Sequence, residues 1–206
     1  MLRFYFVRHG QTISNIRHTL QGWSDTPLTS LGIQQGMQLH QRLLTTPFLA
    51  VYSSPSKRAF QTASYVCQDR NLNIQCLDGL KELHFGTMEG QSEDIENANT
   101  SVQRILYNWH EFGGETISDV TRRIKETLEK LVEKHKLENG NILCVSHGFS
   151  ILAAIRAVDM NTFDTCLLND NFIKNCAITI IEWEDGIFTI KMINQYEEIV
   201  YEKNNK

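Results

Sequence analysis

The sequence FYFVRHGQT occupies Phe4–Thr12, close to the start of the chain. Its first four residues are apolar or aromatic and predict a short buried strand over 4–7, which stops at Arg8, His9 and Gly10. The end of this strand has two interpretations. Either the strand simply reaches water, or Arg8 and His9 form the floor of an anion-binding site, with Gly10 as the turn beneath it. The remaining sequence distinguishes between them.

The bulk composition limits the possible functions. The chain has 206 residues, of which 41% are hydrophobic and 21% are charged, and its net charge is −4. These values predict one globular domain over 1–206 and no nucleic-acid or membrane partner, because there is no global basic field. No apolar run approaches the roughly 18 residues of a membrane span. The start of the chain lacks a signal-peptide layout, and five cysteines without CxxC spacing predict reduced thiols in a cytoplasmic protein.

Short β-rich runs alternate with longer helical patterns along the chain. Strands are predicted at 4–7, 48–54, 73–77 and 141–146, followed by a hairpin over 177–193 that turns at Asp185-Gly186. Helices are predicted from the N-cap Thr29 to Leu44, and over 56–68, 116–136 and 149–158, the third with a capping box of Thr116 and Asp119. This order predicts an α/β fold, a three-layer α/β/α sandwich with a mainly parallel sheet and an antiparallel edge or hairpin.

Residues 87–115 have a weaker pattern and are expected to form a small cap or lid, with one short helix over 102–109. The aromatic residues Tyr107, Trp109 and Phe112 in this segment have two interpretations, a local core beneath a loop or a surface that contacts the substrate. His40 and His135 lie in amphipathic helices and are expected at the surface.

The carboxyl ends of the predicted strands all deliver residues suited to chemistry, and in parallel sheets ligands bind at these ends. The first strand ends at Arg8-His9, Arg58 follows the second, and His147-Gly148 follows the fourth. Glu82 comes just after the third strand. Each residue alone is weak evidence of a site, because a histidine or arginine at a strand end is often only a boundary residue. Their common placement predicts one site that binds an anion.

Five motifs carry a resemblance to a known family: FVRHGQTISN (6–15), YSSPSKRAFQTA (52–63), LKELHFGTMEG (80–90), GGET (113–116) and VSHG (145–148). In this order they resemble the histidine phosphatase superfamily, in the branch that also contains cofactor-dependent phosphoglycerate mutases and the bisphosphatase acting on fructose-2,6-bisphosphate. The resemblance spans roughly residues 3–150.

This resemblance implies a phosphatase that hydrolyses a small phosphate monoester without a metal or other cofactor. His9 is implied as the nucleophile that takes the phosphoryl group, and Glu82 as the proton donor to the leaving oxygen. Glu115 is implied to lie near the site. The implied phosphate-binding residues are Arg8, Thr12, Asn15, Arg58, His147 and Gly148, of which Arg8, Arg58 and His147 also belong to the catalytic set.

The residue types suit this chemistry independently of the resemblance. The planar fork of arginine matches phosphate oxygens and keeps its charge at physiological pH. A histidine nucleophile must be neutral at the attacking nitrogen, and neighbouring arginines favour the neutral ring. A hydrogen bond from the other ring nitrogen of His9 to a backbone carbonyl, expected to be that of Gly10, would fix the tautomer.

Three other functions remain to be weighed against this one. His9, His147 and Glu82 have the right types for zinc, but two arginines in the same cluster would repel the ion. A mutase is the nearest alternative, and the short segment between Glu82 and Glu115 favours the phosphatase because a small cap admits water. A non-catalytic sensor of a phosphorylated ligand is the third. The sequence is compatible with a homodimer and does not predict the physiological substrate.

Overall fold

The computed structural model describes residues 1–197, and six strands in this part of the chain form one sheet. The strands are β1 (Leu2–Arg8), β2 (Phe48–Ser53), β3 (Ile74–Cys76), β4 (Gly140–Ser146), β5 (Ile178–Glu184) and β6 (Ile187–Gln195). Their order is β3-β2-β4-β1-β5-β6. The four strands β1 to β4 run parallel, whereas β5 is antiparallel to β1 and β6 is antiparallel to β5.

Seven α-helices connect or flank these strands in the described residues: α1 (Ile13–Arg17), α2 (Ser30–Leu43), α3 (Lys57–Val66), α4 (Ser101–Leu106), α5 (Ile117–His135), α6 (Gly148–Val158) and α7 (Met160–Leu168). Short 3₁₀ helices occupy Asp78–Leu80, Gly86–Met88 and Trp109–Phe112. Helices α2 and α3 cover one face of the sheet, and α5, α6 and α7 cover the other. The predicted sandwich with its mainly parallel sheet and antiparallel hairpin is therefore confirmed.

The central strands are buried on both faces, and their side chains alternate between two cores. In β1, Phe4 and Phe6 pack toward α5 and α6, whereas Val7 packs toward α2 and α3. In β4, Ile142 packs toward α5 and α6, whereas Leu143 packs toward α2 and α3. This burial explains why the strands read as continuous apolar runs, and why they end abruptly where the chain becomes polar.

Several local predictions agree with the structure. Thr29 accepts a hydrogen bond from the backbone N–H of Gly32 and caps α2, while Thr116 and Asp119 form a capping box at the start of α5. The hairpin turns at Asp185 and Gly186, with φ of 51° and 87°, the left-handed conformations that a two-residue turn requires. No helix in residues 1–197 is long and apolar enough to cross a membrane.

The expected surface positions of His40 and His135 are wrong. His40 is 1% exposed, and its ring contacts the carbonyl of Val66 and the carboxylate of Asp69 at 3.0 and 3.1 Å. His135 is 6% exposed and lies 2.8 Å from the hydroxyl of Tyr52. Each ring reaches a polar partner on a neighbouring element, so a polar residue in the helical pattern is tolerated inside the protein.

Two further segments differ from the prediction made from the sequence. The helix expected over 102–109 is α4 followed by a separate 3₁₀ helix at Trp109–Phe112, and α7 was not predicted. Within the cap segment, Trp109 is fully buried, and its indole N–H donates to the carbonyl of Arg104 at 3.0 Å. Trp109 also meets Phe85 edge to face. It therefore belongs to the core beneath the cap.

Candidate active site

The carboxyl end of β1 is held in place by its neighbours on three sides. The N–H of His9 donates to the carbonyl of Ser146 at 3.0 Å, which extends the pairing of β1 with β4 by one residue. The N–H of Gly10 donates to the hydroxyl of Thr62 in α3 at 3.0 Å. A Cβ on Gly10 would collide with the carbonyl oxygen of Gly32 in α2, so only glycine permits this close approach.

The ring of His9 is held in one orientation and one tautomer. Its Nδ1 lies 2.8 Å from the carbonyl oxygen of Gly10, and since a carbonyl only accepts, Nδ1 carries the ring proton and Nε2 keeps its lone pair. Burial holds the pKa of His9 well below its usual value, and the positive charges of Arg58 and Arg8 lower it further, against the opposing effect of the Gly10 hydrogen bond. The free ring is therefore neutral.

His147 lies beside His9 at the end of β4, with the two ring centroids 5.2 Å apart. Its Nε2 is 2.8 Å from the hydroxyl of Ser54, which can donate to it and so place the proton of a neutral ring on Nδ1. Burial, followed by the charge of Arg58, lowers the pKa of His147 well below its usual value. Nδ1 is buried and has no hydrogen-bond partner among residues 1–197.

Arg8 and Arg58 are both anchored by backbone carbonyls. Arg8 donates from Nη1 to the carbonyl of Ile173 at 2.6 Å, and Arg58 donates from Nη1 and Nη2 to the carbonyls of Ser24 and Gly22, each at 2.7 Å. Burial lowers the pKa of both guanidinium groups, against the carboxylates of neighbouring residues, yet arginine stays charged in proteins. The Nε atoms of both are buried and lack a partner in the described chain.

Five buried side-chain nitrogen atoms lack a hydrogen-bond partner in the described residues, and three of them belong to residues around His9: Nε of Arg8, Nε of Arg58 and Nδ1 of His147. The other two are Nε of Arg70 and Nδ1 of His135. Buried polar groups are normally paired, so three unpaired donors beside two positive charges indicate an anion that completes them. Gly148, predicted to contact the phosphate, lies against the Arg8 guanidinium, where a Cβ would stand 3.7 Å from Nε.

The two remaining residues predicted to bind phosphate have different environments. Asn15 lines the cleft, and its Oδ1 accepts from the N–H of Thr12 at 3.0 Å, which leaves the amide NH₂ for other contacts. Thr12 is fully buried, caps α1, and donates its hydroxyl to Gln21 at 2.8 Å. Thr12 therefore does not line the cleft, and its backbone N–H orients Asn15, which does. Asn175, which the sequence did not indicate, donates to the carbonyl of His9 at 2.9 Å.

Glu82 lies at the N-terminus of α6, where backbone N–H groups are available. Its Oε1 accepts from the N–H groups of Leu83 and Ser150, both at 2.9 Å, and Oε2 accepts from the N–H of Phe149 at 3.1 Å. Its charge acts on Arg8, which indicates that the two are close. Glu82 is 8% exposed and lines the cleft together with His9. It is placed to exchange a proton there.

Glu115 reaches the site through a residue that the sequence did not indicate. Its two carboxylate oxygens accept from Nε and Nη2 of Arg123 in α5, each at 2.9 Å. Arg123 in turn donates to the carbonyls of Gly79, Lys81 and Glu82 at 3.0, 2.6 and 2.8 Å. The Glu115–Arg123 pair therefore fixes the segment that carries Glu82 and does not enter the cleft itself.

The cleft above His9 has a volume of about 450 Å³, much larger than a phosphate group. Its wall beyond Arg8 includes the aromatic residues Phe85, Phe149 and Phe172, and the charged residues Glu93, Arg104 and Lys174. Arg104 and Glu93 form an ion pair at 3.2 Å. Glu93 and Arg104 lie in the segment 87–115, whose sequence pattern was too weak to indicate them. Among residues 1–197, no three side chains of His, Cys, Asp or Glu are grouped as metal ligands.

The two neutral histidines predict a specific pH dependence of stability. In the unfolded chain His9 and His147 take up protons below about pH 6.5, whereas in the folded protein they remain neutral well below that pH. The unfolded state then binds more protons, so the free energy of unfolding falls as the pH decreases below about 6.5, by up to about 1.4 kcal/mol per pH unit for each histidine.

Urea unfolding between pH 7.5 and 5 measures this dependence. We expect a variant with both His9→Gln and His147→Gln to lose stability less steeply than the wild type over this range. Identical slopes in the two proteins would show that these histidines protonate normally in the folded state.

Comparisons with known proteins identify the family of this chain. The family model of the histidine phosphatase superfamily (branch 1) matches residues 4–196. A probable phosphoglycerate mutase, GpmB of Salmonella paratyphi A, is 28% identical over 192 residues, which cover 90% of this chain and 87% of GpmB.

Among solved structures, YhfR of Bacillus stearothermophilus is 30% identical with a TM-score of 0.83, and the match covers 96% of this chain and 98% of YhfR. A phosphoserine phosphatase of Entamoeba histolytica, solved with 3-phosphoglyceric acid, is 28% identical with a TM-score of 0.79, over 96% of this chain and 98% of its own. With a family match over nearly its whole length and these residues around His9, this chain belongs to the histidine phosphatase superfamily.

Proposed function

We propose that this chain is a metal-independent phosphatase that hydrolyses a small phosphate monoester through a phosphohistidine on His9. One observation carries the proposal. Arg8, Arg58 and His147, whose buried donors are unpaired in the described residues, act on or lie beside a histidine whose Nε2 is unprotonated. Arg8, His9 and Glu82 line the cleft itself, whereas Arg58 and His147 are not among its lining residues. Phosphoryl transfer depends mainly on positioning and on charge stabilisation, and these residues supply both.

In the first step, phosphate oxygens accept hydrogen bonds from Nε of Arg8, Nε of Arg58 and Nδ1 of His147. The lone pair on Nε2 of His9 attacks phosphorus, and the bond from phosphorus to the ester oxygen breaks on the opposite side. Glu82 enters the step protonated and transfers its proton to the leaving oxygen, which departs as an alcohol. Oε2 is the atom suited to hold this proton, because it has fewer hydrogen-bond donors than Oε1.

In the second step, the Glu82 carboxylate accepts a proton from a water molecule as that water attacks the phosphorus of phosphohistidine. The bond between phosphorus and Nε2 breaks, inorganic phosphate is released, and both His9 and Glu82 return to their starting states. The same carboxyl group thus acts first as acid and then as base. The positive charges of the two arginines stabilise the transferred group throughout.

Water access favours hydrolysis over return of the phosphoryl group to a bound acceptor. The cap between Glu82 and Glu115 consists of the six-residue helix α4 and two short 3₁₀ helices. A mutase is the second candidate, and the relative named as a probable phosphoglycerate mutase supports it. A sensor is least consistent with a site that retains both His9 and Glu82.

The wall of the cleft supports a short, polar substrate that carries charged groups besides its phosphate. Glu93 presents a partly exposed carboxylate, and Lys174 has no carboxylate within 4 Å in the described part of the chain. A phosphorylated hydroxy acid or amino acid would match these charges. The related phosphoserine phosphatase, solved with 3-phosphoglyceric acid, supports the same class of substrate.

The free cysteine thiols fit the reducing cytoplasm, where we place the enzyme.

Release of phosphate from an aryl phosphate in the presence of a chelator tests the proposed function. We expect the wild type to retain full turnover with chelator, and His9→Ala to lose about a thousandfold or more because the phosphohistidine cannot form. His110→Ala serves as the control, since His110 is exposed and its ring pairs with Asp119 and no other side chain in residues 1–197.

Turnover that persists in His9→Ala, or that the chelator abolishes, would contradict the mechanism. If the wild type shows no turnover, interconversion of phosphoglycerates with a bisphosphate primer tests the mutase alternative.

The role of Glu82 predicts a dependence on the leaving group. Glu82→Gln should lower kcat/KM for an alkyl phosphate by about 10²- to 10⁴-fold, because an alkoxide needs a proton to leave. It should affect an aryl phosphate with a stable phenolate leaving group much less. Glu96→Gln, at an exposed position of the cap, is the control. An equal loss for both substrates would contradict proton donation by Glu82.

A further inference from the structure

Glu89 has an unusual set of hydrogen bonds for a residue outside the catalytic cleft. Its Oε1 accepts from the backbone N–H groups of Trp23 at 2.8 Å and Phe85 at 3.1 Å. Its Oε2 accepts from the N–H groups of Gly22 at 3.0 Å and Ser24 at 3.1 Å, and from the Ser24 hydroxyl at 2.6 Å. One carboxylate therefore binds every backbone N–H of the loop over 22–24.

The carbonyl groups of the same loop point to Arg58. The carbonyls of Gly22 and Ser24 accept from its two terminal nitrogens at 2.7 Å, and Asp25 adds a contact to Nη1 at 3.1 Å. Gln21 contributes a longer one at 3.4 Å. With its terminal nitrogens so occupied, Arg58 has only the Nε–H left for a ligand. The peptide groups of the loop thus lie between a carboxylate on one side and a guanidinium on the other.

This layered arrangement polarises the loop in one direction. Negative charge on Glu89 draws the N–H ends of the peptide groups, and positive charge on Arg58 draws their carbonyl ends, so the two sets of hydrogen bonds reinforce each other. The charge of Glu89 also acts on Arg58 directly and opposes the lowering of its pKa by burial. A Cβ on Gly22 would collide with Glu89 and with the carbonyl of Leu83, so the loop has little room to adopt another position.

The loop also connects to the proton donor. The indole N–H of Trp23 donates to the carbonyl of Glu82 at 3.0 Å. The loop therefore contacts two parts of the site, Arg58 and the backbone at Glu82, and only a variant that lacks Arg58 separates an effect through one from an effect through the other. Glu89 itself touches neither the cleft nor the three unpaired donors.

We propose that Glu89 is a positioning residue for the phosphate site, which acts by fixing the loop over 22–24 and through it the guanidinium of Arg58. This proposal rests on the proposed function only in that the site binds a phosphate group. Without the Glu89 carboxylate, four N–H groups lose their acceptor and the loop relaxes. Arg58 then loses the fixed carbonyls that leave its Nε–H for the ligand, and phosphate binding and turnover weaken together.

Substitution of Glu89 combined with substitution of Arg58 tests this mechanism. We expect Glu89→Gln to lower kcat/KM for an aryl phosphate by about 10- to 100-fold, the size of effect that a misplaced binding group produces. The inhibition constant of inorganic phosphate should rise in parallel. In an Arg58→Ala background, Glu89→Gln should change either quantity by less than about threefold, because the residue through which it acts is already absent.

Independent effects would overturn the proposal. If Glu89→Gln lowers activity by the same factor with and without Arg58, then Glu89 acts on the fold or on Glu82 and not on Arg58. Asp159→Asn is a matched control, since Asp159 also accepts a backbone N–H and a hydroxyl, but at the far end of α6. We expect its kcat/KM to equal that of the wild type, and a comparable loss there would likewise count against a specific role of Glu89.

A second variant and a second readout keep the test decisive. If Glu89→Gln does not fold, Ser24→Ala removes only the hydroxyl contact and retains the backbone carbonyl that binds Arg58. Ser24→Ala should weaken phosphate binding several-fold when Arg58 is present. In the Arg58→Ala background it should leave phosphate binding unchanged. Calorimetric titration with inorganic phosphate reads the coupling without turnover, so failure of the proposed phosphatase activity and failure of the Glu89 proposal are distinguishable.

Discussion

The burial of two guanidinium groups beside a neutral histidine is the constraint on which this site depends. A charge removed from water is costly unless fixed polar groups replace the water. Here carbonyl oxygens of loops replace it: Ile173 for Arg8, and Gly22 and Ser24 for Arg58. Because these carbonyls come from loops, the loops themselves must be held in place, and much of the surrounding structure serves that purpose.

Three carboxylates hold these supporting segments. Glu89 binds the N–H groups of the loop over 22–24, Glu115 acts through Arg123 on the segment that ends at Glu82, and Asp25 accepts from Arg58 and from the first backbone N–H of α3. None of these three carboxylates lines the cleft above His9. A net charge of −4 is therefore compatible with the proposed anion site.

The sequence was most informative where physical rules are local. The apolar strand over 4–7, the cap Thr29 and the turn Asp185-Gly186 each depend on a few neighbours, and the structure confirms them. The rule that ligands bind at the carboxyl ends of parallel strands was enough to group Arg8, His9, Arg58, Glu82 and His147 into one predicted site. Four separate strand ends were needed for that inference.

Contacts between distant segments were not predictable from one sequence. His40 and His135 resemble surface residues until a carbonyl or hydroxyl on another element is seen beside them. Glu89 and Arg123 act on backbone groups, which every residue has, so their partners leave no mark in the sequence. Lys174 lies in a segment without a periodic pattern and reaches the cleft only through the fold.

Detection of the phosphorylated intermediate tests the central claim most directly. The enzyme is mixed with a ³²P-labelled phosphate monoester and quenched in alkali within milliseconds, because phosphohistidine survives base and is hydrolysed in acid. The peptide that contains His9 is then isolated, and NMR distinguishes phosphorus on Nε2 from phosphorus on Nδ1. Our account predicts label on Nε2 of His9, since Nδ1 is held by the Gly10 carbonyl. Label on His147, or turnover with no labelled protein, would contradict it.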